Sequence, residues 1–318
     1  MQIITELTTF PEALKNGAIS IGKFDGMHLG HSLIVERLTD HAQKRQIPAI
    51  LITFDPLPVA VFQPNADLRP ICTLERKIEL IRQLNRHGQI DAVVVITPTL
   101  EFLQQSAETF FSETIQDLFR AEIVVAGSDF SFGRDRTGTP DALRQFGRQT
   151  GIEVDIVEPF LVNAGTIKKA VSSSWIRQLL QTGQIEQTNE LMPNPYRMTG
   201  TVAVGDQRGR TLGFPTANLE EVQTILPEQG VYATATWIGG ERYGSTTHVG
   251  ASLTFGVMQS RIETFVHDFE GDLYTQRISV DFLFHIRKPM RFDSADLLIR
   301  QMHDDVLHSR MMPRDACQ

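Results

Sequence analysis

Residues 18–44 place the strongest constraint on how this chain folds. Ala18–Ile21 is a short apolar run, and His31–Lys44 sets Ile34, Leu38 and Ala42 on one helical face. Between them lies the turn Gly22-Lys-Phe-Asp-Gly-Met-His-Leu-Gly-His31. A strand that enters a glycine-bearing turn and leaves as a helix is half of a parallel βαβ unit. The turn puts His28 and His31 three positions apart at the expected helix N-terminus, with Gly30 between them. Imidazoles and backbone N–H groups at such an end make an anion site, and a residue without Cβ lets a phosphate or base approach the backbone. Donors around an α-phosphate under in-line attack act on charge that grows in the transition state, each worth about 2.7–4 kcal/mol, and no covalent nucleophile is then required. A lone His is ordinarily a surface cap or a satisfied core group; the HxGH spacing at a strand–helix turn is what points to chemistry.

The alternation continues through the first half. Ala49–Phe54, Asp91–Ile96, Ala121–Ala126 and Val154–Val157 read as strands. Leu74–Asn85, a segment capped by Ser106 and carrying Phe110, Ile115 and Leu118, and Asp141–Thr150 read as helices. This pattern predicts a parallel sheet with helices on both faces, which binds ligands at its strand carboxyl ends. The turns at Gly22–His31, Phe54–Pro58 and Gly127–Gly133 lie at such ends. Ser174 is expected to cap a helix that runs to Leu180 and closes at Gly183. Beyond Met192-Pro-Asn-Pro195, expected as a linker, the chain turns strand-rich. Tyr196–Val204, Gly230–Ile238, Arg261–His267 and Gln276–Leu283 precede a last helix over Ser294–Arg310, which fits a compact antiparallel barrel with one helix.

The net charge of −8 argues against nucleic acid as a main partner, which leaves a basic footprint, without excluding small nucleotides. Cys72 and Cys317 lie far apart and match no metal-ligand spacing, as expected of free thiols in a reducing cytoplasm. No apolar run approaches the roughly 18 residues of a membrane span, and the N-terminus lacks a secretory pattern. A cytoplasmic protein without a membrane partner is the expectation.

Two further segments carry chemistry. Ser172–Ser174 before a helix offer hydroxyls and N–H groups to phosphate, with Arg177 one turn on, although a serine run there also serves as a plain N-cap. Gly205-Asp-Gln-Arg-Gly-Arg-Thr-Leu-Gly-Phe-Pro-Thr-Ala-Asn-Leu219 has glycines for a tight loop over phosphates, positive charge at Arg208 and Arg210, and neutral oxygen donors for Mg2+ at Thr216 and Asn218. A Gly/Arg-rich hairpin is also compatible with a simple turn. Glu263, on its own, reads as a solvent-facing strand residue.

Gly22–His31 resembles the HxGH signature of nucleotidyltransferases, and its extended form GxFDGxHxGH resembles the adenylyltransferase module of bacterial bifunctional riboflavin kinase/FMN adenylyltransferases. Thr53-Phe-Asp-Pro-Leu-Pro58 is similar to that family's TFDPxP, Gly127-Ser-Asp-Phe-Ser-Phe-Gly133 to GxDFxFG, and Val171-Ser-Ser-Ser-Trp-Ile-Arg177 to ISSTxIR. Residues 209–218 are similar to the riboflavin kinase motif GRxLGxPTAN, and Asp268-Phe-Glu-Gly-Asp-Leu-Tyr274 to DFxGDLYG. The resemblance implies an α/β + β chain: a Rossmann-like HxGH nucleotidyltransferase domain over 1–187, a linker over 188–196, and a small antiparallel riboflavin kinase-like β-barrel with a C-terminal helix over 197–318. It implies catalytic roles for His28, His31 and Glu263, the last as general base. It implies nucleotide contacts from Gly22, Phe24, Asp25, Gly30, Ser172, Ser173, Ser174, Arg177, Gly209 and Arg210. Asp129, Phe54, Pro56 and Arg287 would border flavin, and Thr216 and Asn218 would hold Mg2+. ATP is then co-substrate, riboflavin and FMN are substrates, and FMN and FAD are products of a monomer or weak homo-oligomer.

The sequence departs from the family pattern at Lys23, Leu57 and Ser174 without losing a phosphate donor. His248 and Leu253 replace the Asn and Pro of NxGxxPT, and Thr275 replaces the Gly after Tyr274. These changes leave open an FMN adenylyltransferase with a weakened or inactive kinase barrel. A non-catalytic flavin-binding protein is a third reading, against which His28, His31 and Glu263 count. His303-Asp-Asp305 reads as a solvated helix face.

Overall fold

Strands β2 (Ala18–Ile21) and β3 (Ala49–Phe54) are buried at every position, as apolar runs must be when both sheet faces are covered. In a computed structural model the chain is described over residues 1–63, 66, 68–85, 89–204, 213–254 and 257–312, the side chains of 251–254 and 257–260 excepted. Gly209, Arg210, Cys317 and the side chain of Leu253 therefore lie outside the described residues. The chain forms two compact units, one of residues 1–68 and 74–172, the other of residues 69–73 and 173–318.

In the first unit β1 (Gln2–Ile4), β4 (Ala92–Ile96), β5 (Ile123–Gly127) and β6 (Glu153–Val157) complete a six-stranded sheet of order β1-β4-β3-β2-β5-β6. Every pairing is parallel. Alternate residues feed two cores. Ile19, Ile21, Ile50 and Ile52 lie in one; Ala18, Ala49 and Leu51 lie in the other. Helices α1 (Leu29–Arg45) and α3 (Leu74–Leu84) close the second core with Val35, Leu38, Leu80 and Ile81. Short helices α2 (Pro58–Phe62) and α4 (Leu100–Gln104) precede α5 (Ala107–Thr109), which Ser106 caps and which continues as π-helical turns over Phe110–Leu118. With α6 (Pro140–Thr150) they supply Phe110, Phe111, Ile115 and Leu143 to the first core. The chain runs from β2 outward to β3 and β4, then returns to the other side of β2 as β5. The β2/β5 boundary is thus the topological switch point, where such sheets open a crevice. A hairpin of β7 (Leu161–Ala164) and β8 (Ile167–Ala170) follows the sheet.

The second unit holds a closed antiparallel barrel of β9 (Arg197–Ala203), β10 (Thr216–Glu220), β11 (Gly230–Ile238), β12 (Glu241–Thr254), β13 (Val257–Val266) and β14 (Arg277–Arg287), in the order β10-β13-β12-β11-β14-β9. Its centre is partly polar. Thr236, Ser245, Thr234, Thr247 and Thr264 are all buried and joined by hydroxyl hydrogen bonds of 2.7–3.0 Å. Helices α7 (Ser173–Gln181), α8 (Ile185–Glu190) and α9 (Ala295–Met311) belong to this unit.

One expectation is corrected here. Ser174 is not the cap of α7; the helix already includes Ser173, so Ser174 sits inside its first turn. Residues 188–196 fall within the second unit. The Asn189 amide donates to Phe282 O at 2.8 Å and accepts from the Tyr196 N–H at 2.9 Å, and the Tyr196 ring is fully buried.

Candidate active sites

At the end of β2 the Gly22 N–H donates to Ile52 O at 3.0 Å, and the chain then turns sharply. Phe24, Gly26 and Met27 all adopt left-handed backbone, with φ of 46°, 83° and 43°. The two non-glycine residues are held there because their side chains are buried in the core, 1% and 0% exposed. Asp25 between them is also buried. The turn delivers His28 to the N-cap of α1, where its Nδ1 accepts the His31 N–H at 3.4 Å. Neutral His28 therefore carries its proton on Nε2, as a donor. The two imidazoles stack with centroids 3.6 Å apart, and Phe24 meets His31 edge-on at 5.2 Å.

Burial pushes His28 down to about 4. Burial also holds His31 well below the usual imidazole range, helped by the neighbouring charges of His28 and Lys77. Both are thus neutral hydrogen-bond donors at neutral pH. A Cβ on Gly30 would sit 3.2 Å from the His28 ring and 3.4 Å from Val171 O, so glycine leaves room between the histidines and the 171–172 segment.

Across the switch point, a Cβ on Gly127 would lie 3.1 Å from Asp129 Oδ1 and 3.3 Å from Ile34 of α1. Exposed Asp129 thus hangs at the carboxyl end of β5 beside α1. Phe54 closes β3 as a buried ring 6.4 Å from Phe102, the start of a row through Phe110, Phe132 and Phe130. Pro56 is exposed beyond it. Ser172 ends the first unit, while Ser173, Ser174 and Arg177 open the second, where Arg177 donates to Arg69 O at 2.7 Å. Sequence reasoning passed over Lys77, whose ammonium is buried beneath the turn. The signal was a lysine on the apolar stripe of α3, three residues from Leu74 and Leu80.

In the barrel, Thr216 and Asn218 alternate with buried Ala217 and Leu219 along β10, so the two polar residues share a face. Asn218 is directly opposite Glu263 on β13, and Glu263 is in turn opposite His248 on β12. The Glu263 oxygens lie 3.7 Å from His248 Nδ1 and 3.7 Å from Arg261 Nη1. The His248 ring lies over Gly250, where a Cβ would approach it to 2.6 Å. Arg287 forks onto Asp305 through Nε at 2.9 Å and Nη2 at 2.7 Å, tying β14 to α9. His303 and Asp304 are exposed, as expected of a solvated face, whereas Asp305 departs from it at 3% exposure.

An α/β unit with paired imidazoles at its switch point, joined to a closed barrel with a carboxylate facing an asparagine, defines a chain built to handle nucleotide phosphates twice. The FAD synthetase family model matches residues 10–174 and the riboflavin kinase model residues 192–312. The chain is 30% identical over 308 residues to the bifunctional riboflavin kinase/FMN adenylyltransferase of Haemophilus influenzae, covering 96% of this chain and 97% of the relative. It is 31% identical over 300 residues to the Listeria monocytogenes protein of the same name, covering 93% and 92%. A solved Streptococcus pneumoniae structure described as a macrolide-efflux protein superposes with a TM-score of 0.85 at 28% identity, covering 98% of this chain and 99% of that one. Among the described residues, no helix here is long and apolar enough to cross a membrane. The chain belongs to the bifunctional riboflavin kinase/FMN adenylyltransferase family.

Proposed function

We propose that the chain makes FMN from riboflavin in its barrel unit and FAD from FMN in its parallel-sheet unit, in the cytoplasm. In the first reaction the riboflavin 5′-hydroxyl attacks the γ-phosphorus of ATP, the bond to the β–γ bridging oxygen breaks, and ADP leaves. Glu263 takes the hydroxyl proton. In the second, an FMN phosphate oxygen attacks the α-phosphorus of another ATP and pyrophosphate leaves. His28 and His31, held neutral, donate hydrogen bonds to phosphate oxygens as charge builds, and the N-terminus of α1 adds its dipole. The aromatic row from Phe54 to Phe130, its rings mostly tilted or edge-on to one another, offers apolar surface to the flavin ring at the partly exposed Phe102 and Phe130, with Asp129 beside it.

The donor set on β10 fits Mg2+. Thr216 and Asn218 present neutral hard oxygens, and Mg2+ is ordinarily bound through few protein groups together with phosphates and water. When bound, the ion would neutralise phosphate charge in the kinase unit; the residues holding it would be Thr216 and Asn218. The single observation that carries the reading is that one chain contains both frames, the stacked HxGH pair on α1 and the Asn218–Glu263 register in the barrel.

A second reading rests on His248, an imidazole beside Glu263 where the family pattern has Asn. On that reading the barrel is a poor kinase and only FAD formation is efficient. Incubation of the purified chain with ATP, Mg2+ and either riboflavin or FMN, followed by chromatography of the flavins, decides between them. FMN and FAD from riboflavin support the bifunctional reading. FAD from FMN with nothing from riboflavin selects the second, and no turnover of either flavin overturns both.

A further inference from the structure

Lys77 is 3% exposed, on the stripe of α3 that also buries Leu80 and Ile81. An ammonium out of water is costly unless its N–H groups find acceptors. Lys77 Nζ donates to Lys23 O at 2.8 Å, to Thr53 Oγ1 at 3.0 Å and to Phe54 O at 3.4 Å. The Thr53 hydroxyl donates to the same Lys23 carbonyl at 3.0 Å. Two donors thus converge on one backbone oxygen of the turn that carries His28 and His31, immediately before left-handed Phe24. The third acceptor, Phe54 O, closes β3. One buried cation therefore fastens together the carboxyl ends of β2 and β3, the two strand ends that carry the GKFDGMHLGH and TFDPLP segments.

The need for such a fastening follows from the turn itself. Phe24 and Met27 occupy a backbone region that L-residues disfavour, and such conformations persist only when the surroundings over-determine them. Apolar burial of the two side chains fixes one side of the turn; hydrogen bonds to the Lys23 carbonyl fix the other. The imidazoles are kept neutral by burial, so at neutral pH they bring no full charge to the site. The cation beneath them is Lys77.

We propose that Lys77 is a positioning residue for adenylyl transfer, locking the Gly22–His31 turn onto the end of β3 so that His28 and His31 meet the triphosphate in one fixed arrangement. The inference rests on the adenylyltransferase reading above. It differs from a purely structural role in a measurable way. A residue that only holds the fold together lowers both activities along with the unfolding temperature, whereas a displacement of about 1 Å in catalytic donors costs on the order of 10²-fold in the one rate they serve.

The test uses the full chain as wild type, Lys77→Met, Lys77→Arg and Thr53→Val. Conversion of FMN to FAD, conversion of riboflavin to FMN and thermal unfolding are followed in the same preparations. Lys77→Met, which takes the buried donor from Thr53 Oγ1 and Phe54 O, is expected to unfold at a somewhat lower temperature than wild type and still to phosphorylate riboflavin at the wild-type rate. Its kcat for FAD formation falls by on the order of 10²-fold, with KM for ATP and FMN changed by no more than a few-fold. Lys77→Arg recovers part of that loss. Thr53→Val, which removes one acceptor of the ammonium and one donor to Lys23 O, loses about tenfold. FAD formation by Lys77→Met close to the wild-type rate overturns the inference. So does a parallel fall in both activities and in the unfolding temperature, which would make Lys77 a fold residue. If Lys77→Met does not fold, Thr53→Val decides, and an unchanged kcat there overturns the proposal. A wild-type chain that makes no FAD would instead remove the adenylyltransferase reading on which this one stands.

Discussion

A neutral, buried imidazole couples the first site to acidity. Burial lowers His28 to about 4 in the folded chain, against an ordinary value of 6.5 when unfolded. Between those values the unfolded state holds the extra proton, so stability rises with pH across that window. The first unit is therefore expected to lose stability as pH falls from about 6.5 to 4, by on the order of 3 kcal/mol, and to lose no more through this group below 4. Urea unfolding of wild type and His28→Gln at both ends of the window checks this. The variant should show a flatter pH dependence, and equal slopes would show that His28 does not titrate as described. The chemical role has its own test. His28→Ala is expected to slow FAD formation by about 10²–10³-fold, the cost of one transition-state donor, while leaving riboflavin phosphorylation intact. Glu263→Ala should do the reverse. Flavin chromatography with each substrate reads both steps, and variants that slow both steps equally would refute the division of labour.

At the scale of elements, packing distances decide what a helix or strand tolerates. Gly147 of α6 lies where a Cβ would be 2.5 Å from Ile152 O and 2.7 Å from Val154 Cγ2, so α6 rests directly on the entry to β6. Gly147→Ala must push the helix away, and a loss of about 1–3 kcal/mol in chemical denaturation is expected, despite alanine's better helix propensity. A variant as stable as wild type would show that α6 shifts freely. The same physics explains which elements were legible beforehand. Ala18–Ile21, Ala49–Phe54 and Gly230–Ile238 were readable to the residue because each is an almost unbroken run of buried side chains. β1 was missed because it is three residues long and mostly exposed. β12 was missed because Ser245 and Thr247 are buried as hydroxyls rather than hydrocarbons, which erases the apolar alternation a strand is read from. β10 was hidden behind the Gly/Pro-rich stretch before it, and with it the register that sets Asn218 against Glu263. Motif spacing singled out His28, His31 and Glu263; the burial of Lys77 gave no such signal, because a lysine on a helix is assumed to face water until the sheet above it is in place.

At the scale of the whole molecule, the product of one unit is the substrate of the other, and the chain divides into two compact units, one built on the parallel sheet and one on the closed barrel. Nothing in either site's chemistry requires FMN to stay bound between steps, since the kinase gains from binding the transition state of phosphoryl transfer and not from retaining its product. FMN released by one chain should then serve the adenylyltransferase site of another. The prediction is complementation in trans. Neither His28→Ala nor Glu263→Ala alone turns riboflavin into appreciable FAD. An equimolar mixture does, after a lag during which FMN accumulates in solution, because the second step must wait for free FMN to approach its KM. Diluting the mixture lengthens the lag, whereas added FMN abolishes it. The double variant His28→Ala/Glu263→Ala makes neither flavin and shows that no contaminating activity is responsible. If the mixture accumulates FMN to a level that the Glu263→Ala chain adenylylates readily when supplied directly, yet no FAD appears, the idea of two independently working units joined by a diffusing intermediate is wrong.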